Sequence, residues 1–185
     1  EAPGPPLSPS ALVAEDAERL GALPSGPAAD AARARGVLLH RLLKTLPEIS
    51  SERRSAAARR MADSVDALPS ETREACVTAA LAIVDDPAFA AVFSPASRGE
   101  VPIVGRLRDG RPVSGRIDRL AVTADEVLVV DYKTDRRPPA AGAPTPAGYA
   151  AQLGAYAELL SEIWPDRPVR AAILWTEAPR LDRLD

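Results

Sequence analysis

The sequence has little sulfur, few aromatic rings and no excess of positive charge. A single cysteine, Cys76, excludes a disulfide framework and any cysteine-held cluster. In its helical setting the thiol reads as a small core residue. No stretch approaches the roughly 20 apolar residues of a membrane span. No basic region followed by an apolar run opens the chain, so no secretory signal is read. Together these absences point to an intracellular, cytoplasmic setting. Aromatics make up 4% of the chain, and alanine carries much of the apolar count. A formal net charge of −3 is not the footprint of an autonomous nucleic-acid binder. Histidine occurs once, at His40.

What is present suffices for one domain with a real core: 185 residues, 46% apolar and 26% charged. Proline and glycine crowd Pro3-Gly4-Pro5-Pro6 and Pro24-Ser25-Gly26-Pro27. Residues 1–28 therefore read as a largely extended linker, with room for a short helix from Ser10 to Leu20, and 29–185 as the folded domain. The start at Glu1 suggests a domain cut from something longer. Helical spacing runs from Asp30, a plausible N-cap, to Pro47. It resumes over Ser51–Leu68 and over Ser70–Val84, with Ser70 as N-cap. Asp86-Pro87 opens a short helix to Phe93. Arg53, Arg54, Arg59 and Arg60 form a basic patch whose ordinary reading is a solvated face.

Strand patterns occupy Glu100–Leu107 and Arg111–Val122, turned at Asp109-Gly110, and then Val127–Lys133. The four prolines between Arg136 and Gly148 require a loop. Thr145-Pro146, N-cap followed by proline at the first helical position, starts a helix to about Ile163, on which Gln152 and Tyr156 share a face. A last strand, Val169–Thr176, can lie parallel beside the central one through that helical crossover. The charged tail Glu177–Asp185 is expected to fray. The fold class is α/β: a central mixed sheet with flanking helices and extra helices inserted before the meander.

The chemistry concentrates in the second hairpin. Ala124-Asp125 makes a two-residue tip, so Thr123 faces Glu126 and, by the same register, Asp118 faces Asp131. Directly opposed residues share a face, and Lys133, two beyond Asp131, joins it while Tyr132 points away. Two facing carboxylates repel unless a cation lies between them, and Mg²⁺ favours such oxygen ligands. A solvated ion-pair cluster is the ordinary fate of charged strand ends. Asp131, however, follows the apolar run Val127–Val130, which puts it near the core. His40, taken alone among apolar helix neighbours, reads more readily as a core residue than as a ligand.

The order of these elements, with Asp118, Asp131-Tyr132-Lys133, and Gln152 and Tyr156 on the next helix, resembles the PD-(D/E)XK nuclease superfamily. Leu38-Leu39-His40-Arg41-Leu42-Leu43 narrows the likeness to the RecB-like branch. The runs Gly115-Arg116-Ile117-Asp118-Arg119-Leu120, Val130-Asp131-Tyr132-Lys133-Thr134-Asp135-Arg136 and Tyr149-Ala150-Ala151-Gln152-Leu153-Gly154-Ala155-Tyr156 are similar to the C-terminal nuclease domains of AddA-type helicase–nucleases. Pro6-Leu7-Ser8-Pro9-Ser10 resembles the linker that joins helicase to nuclease in them. The similarity spans about residues 36 to 176.

That resemblance implies a Mg²⁺-dependent deoxyribonuclease, with Mn²⁺ able to substitute, acting as an exonuclease in recombinational double-strand-break repair. It implies metal ligation by His40, Asp118, Asp131 and the Tyr132 carbonyl, with Lys133 orienting water or offsetting phosphate charge. Gln152 and Tyr156 would position the surrounding groups or the DNA backbone. The implied partners are DNA, the helicase portion of the same parent chain and an AddB-type subunit, with no membrane. No G-x-x-x-x-G-K-[ST] loop occurs, so the chain holds no helicase motor. The missing cysteine set separates it from RecB-like nucleases with an iron–sulfur cluster. Two other readings compete: a non-catalytic DNA-binding or scaffolding module that kept the fold, and a stand-alone RecB-like nuclease.

Overall fold

The computed structural model describes residues 26–135 and 137–184. Among them, helix α1 spans Pro27–Thr45, α2 Ser51–Asp63 and α3 Ser70–Asp85, with 3-10 turns at Leu46–Glu48 and Pro87–Phe89. Strands β1 (Ser97–Arg106), β2 (Pro112–Val122) and β3 (Val127–Lys133) follow, then α4 (Ala147–Ile163), β4 (Val169–Trp175) and β5 (Arg180–Leu184). The sheet order is β1-β2-β3-β4-β5. β1, β2 and β3 form an antiparallel meander, and β4 lies parallel to β3 through the α4 crossover. No helix of the described residues is long and apolar enough to cross a membrane.

The two faces of the sheet bury different helices. Leu128, Val130, Tyr132, Ala172 and Leu174 pack against Leu38, Leu39, Leu42 and Leu43 of α1 and against the α2–α3 pair, Cys76 included. Val127, Val129, Ile173 and Trp175 pack against Leu153, Tyr156 and Leu159 of α4. Period-two alternation thus sends neighbouring residues of β3 into separate cores. β1 passes close under α4: a Cβ at Gly105 would stand 2.8 Å from a Leu159 methyl.

One buried side chain ties the α1 layer to the sheet. Arg119 on β2 is 1% exposed. Its guanidinium donates to the carbonyls of Leu43 at 2.7 Å and Lys44 at 3.4 Å, at the C-terminal end of α1, and to the Tyr132 hydroxyl at 3.2 Å. It also lies over the Phe93 ring, 5.3 Å from the centroid. A cation meeting the last carbonyls of a helix is favoured by their unsatisfied acceptors and the negative end of the helix dipole.

Several expectations need correction. The tail after Glu177 is ordered as β5, antiparallel to β4. Asp182 holds it, accepting from Trp175 Nε1 at 2.8 Å and from Arg180. The first helix starts at Pro27 with Gly26 as N-cap (φ 104°), while Asp30 sits in the first turn, paired with Arg33 at 2.9 Å. Proline's fixed φ suits the first helical position better than a mid-turn start. The rest of the expected linker, and its Ser10–Leu20 helix, lie outside the described residues. Pro69, not Ser70, occupies the N-cap of α3, and Pro146, not Thr145, that of α4. The helical run after Asp86-Pro87 is shorter than expected, ending at Phe89, though Asp86 caps it by accepting from Ala88 N–H at 2.8 Å. Of the α2 arginines, Arg53, Arg59 and Arg60 are exposed, as a solvated face requires, and only Arg54 turns inward, donating to the carbonyls of Leu46 and Ile49 and pairing with Asp85.

Candidate metal centre

The hairpin register is the one the turn chemistry predicts. Thr123 N–H donates to Glu126 C=O at 3.0 Å, and the β2–β3 pairs run from Val122↔Val127 to Arg119↔Val130. The next pair would be Asp118 and Asp131, and there the ladder stops. Instead, Asp118 Oδ2 accepts the Tyr132 N–H at 2.7 Å, doing the work of a backbone carbonyl. The carboxylate is therefore fixed by the strand it faces. Its Oδ1 lies 3.3 Å from His40 Nδ1.

His40 occupies the turn of α1 between two buried leucine pairs, Leu38-Leu39 and Leu42-Leu43, so the core fixes its rotation about the helix. Its ring meets the Tyr132 ring edge-on at 5.5 Å. Burial works to lower its pKa. The Asp118 contact and the charges of Asp118, Asp131 and Glu100 outweigh burial and hold it above the ordinary value. Tyr132 lines the cleft, while its ring is buried with the α1 layer.

Asp131 is 5% exposed, and burial pushes its carboxyl up to about 6 against the opposing pull of Lys133. Its Oδ2 stands 2.6 Å from Lys133 Nζ, and no hydrogen-bond donor among the described residues meets it in good geometry. Lys133 is held on further sides, donating to Gln152 Oε1 at 3.3 Å and lying 4.1 Å from the centroid of the Tyr149 ring. Tyr149 is itself fixed by donating to Asp135 at 2.9 Å. Gln152 thus meets the site through Lys133. Tyr156 is fully buried and donates to the Arg116 carbonyl at 3.2 Å, so it supports the strand beside the cleft.

Sequence reasoning missed two residues: Arg116, which lines the cleft, and Glu100, which stands beside it next to His40 and Asp118. Glu100 lies between the pairs Gly99↔Arg119 and Val101↔Ile117, and so faces Asp118. It is the one non-glycine residue with positive φ among those described, at 56°, a strained conformation that marks functional sites. His40, Glu100 and Asp118 each offer a ligand atom, all within 4.8 Å of one another. Asp131 stands outside that triplet, in its pair with Lys133. Arg116 reaches Glu100 Oε2 at 3.2 Å.

Together His40, Arg116, Asp118, Asp131, Tyr132, Lys133 and Gln152 line a cleft of about 210 Å³. Carboxylate oxygens and one imidazole converging in this way fit a hard divalent cation.

A family model described as the PD-(D/E)XK nuclease superfamily matches residues 12–183. No curated protein matches the chain. Among solved structures, one titled "Crystal structure of SSO0001" is 16% identical, covering 62% of this chain and 60% of that chain with a TM-score of 0.35. The chain thus spans less than two thirds of that protein.

Proposed function

Because the chain belongs to the PD-(D/E)XK nuclease superfamily, we propose that it is the Mg²⁺-dependent exonuclease domain of an AddA-type helicase–nuclease. It would hydrolyse DNA phosphodiester bonds in recombinational repair, in the cytoplasm, beside its own helicase portion and an AddB-type subunit. The observation that carries the reading is the convergence of His40, Asp118, Asp131 and Lys133 in one cleft, from α1, β2 and β3. Mild net acidity is compatible with it, since a domain supplied with DNA by a tethered motor needs little affinity of its own.

A divalent cation held by Asp118, His40 and Asp131, with Glu100 in reach, would offset phosphate charge and acidify a water. The residues do the rest. Asp118 is pre-oriented by the Tyr132 N–H, so its free lone pairs keep one direction. His40 must present a neutral imidazole, which the packing of α1 aims at Asp118. Lys133 places an ammonium within the cleft, steadied by Gln152 and the Tyr149 ring, where it can hold a water or stabilise charge growing on the phosphate.

Asp131→Ala and Lys133→Ala should each abolish Mg²⁺-dependent digestion of linear DNA while the fold survives. Digestion at the wild-type rate by either purified variant would remove the assignment.

A further inference from the structure

We propose that Arg116 is a phosphate-binding residue of the cleft, masked by Glu100 until a cation claims that carboxylate. This rests on the nuclease reading for its substrate, a phosphodiester strand. Arg116 precedes Asp118 by two residues on β2 and so projects to the same side. Apart from Lys133 and His40 it is the only described basic residue lining the cleft. Those two are committed: Lys133 to Asp131, Gln152 and Tyr149, and His40 to Asp118. The Arg116 side chain is 65% exposed, so it can turn at little expense. A guanidinium presents a planar fork of donors that matches two phosphate oxygens, which an ammonium cannot do.

Its one ionic partner among the described residues is Glu100, at 3.2 Å. That carboxylate also belongs to the cluster with His40 and Asp118. One side chain therefore stands between a guanidinium and a cation site. The guanidinium end of this pair is exposed, whereas the Glu100 side chain is only 22% exposed. An ion that draws Glu100 towards His40 and Asp118 frees the guanidinium at the cleft mouth. The strand beneath stays fixed, because the buried Tyr156 hydroxyl holds the Arg116 carbonyl. Cation and phosphate then bind with positive coupling, each favouring the other.

The test is binding of a nuclease-resistant phosphorothioate oligonucleotide, followed by fluorescence anisotropy with and without Mn²⁺. With Mn²⁺, Arg116→Gln should weaken binding roughly tenfold and lower the salt slope by about one, with Arg116→Lys in between. Without Mn²⁺ the variant and wild type should bind alike. Glu100→Gln should raise metal-free binding above wild type, and adding Arg116→Gln should cancel the gain. Unchanged affinity and slope for Arg116→Gln in Mn²⁺, or a wild type that binds no oligonucleotide at low salt, would overturn the proposal. Cleavage of unmodified DNA in Mg²⁺ is scored separately. Cleavage without Arg116-dependent binding rejects this role and keeps the nuclease; Arg116-dependent binding without cleavage does the reverse.

Discussion

Asp131 shows at the scale of one residue how a site is kept ready at the fold's expense. Its carboxyl is raised to about 6 by burial, against an ordinary value near 4. A raised folded-state pKa means the folded form holds the proton more tightly. The contribution to stability is full below the unfolded value and is lost as pH rises through about 6. His40 is also raised, so its contribution has the same sign, present below 6.5 and lost as pH climbs through the folded value. The metal-free domain should therefore melt at a lower temperature at pH 7.5 than at pH 5. Asp131→Asn should flatten that slope, and saturating Mn²⁺ should restore stability at pH 7.5 by mass action. Melting curves across pH check this, and a wild type whose stability rises from pH 5 to 7.5 without metal would refute it. Why Asp118, Asp131 and Lys133 were legible is physical: a two-residue tip fixes the β2–β3 register, and period two then fixes which side chains share a face, whereas His40, on α1, entered only through the family resemblance. Glu100 was not legible for the mirror reason. The β1–β2 turn holds three residues, closed by Leu107 N–H to Arg111 C=O with Gly110 at φ 85°. A two-residue turn at Asp109-Gly110 would have set Glu100 against Arg119, and one residue of slip turns every side chain over.

Among the elements, the helices and the meander follow from periodicity, whereas β5 does not. Arg180-Leu181-Asp182-Arg183-Leu184 has only two apolar positions, and its pairing is specified by Trp175 Nε1 meeting Asp182 across the strands. Tertiary partners of that kind leave no mark on local pattern. The docking of α1 likewise depends on Arg119, which looks like a surface residue in sequence and is buried in the fold. Removing its guanidinium would leave the Leu43 carbonyl and the Tyr132 hydroxyl without their donor. Arg119→Ala should thus cost about 3 kcal/mol or more in urea unfolding. Arg119→Lys should recover little of it, because one ammonium cannot span the Leu43 carbonyl, the Tyr132 hydroxyl and the Phe93 face. A loss below about 1 kcal/mol would show that helix packing alone seats α1.

For the whole molecule, the cleft draws on α1, β2, β3 and α4, so its residues come from as far apart in the chain as His40 and Gln152. Each local hairpin can form early, but His40 reaches Asp118 only after α1 docks on the sheet, and Gln152 reaches Lys133 only after the crossover closes. Contacts between such distant segments tend to arrive late on the folding route. The binding of a divalent ion should therefore act on the exit from the native state and hardly at all on the way in. Stopped-flow chevrons with and without Mn²⁺ should superimpose on the refolding arm, while the unfolding arm drops as metal is added. Refolding that quickened in step with metal would mean that the cleft is already assembled at the barrier. Otherwise the ion works as a kinetic lock, setting how long the domain survives between openings and leaving unchanged how fast it first closes.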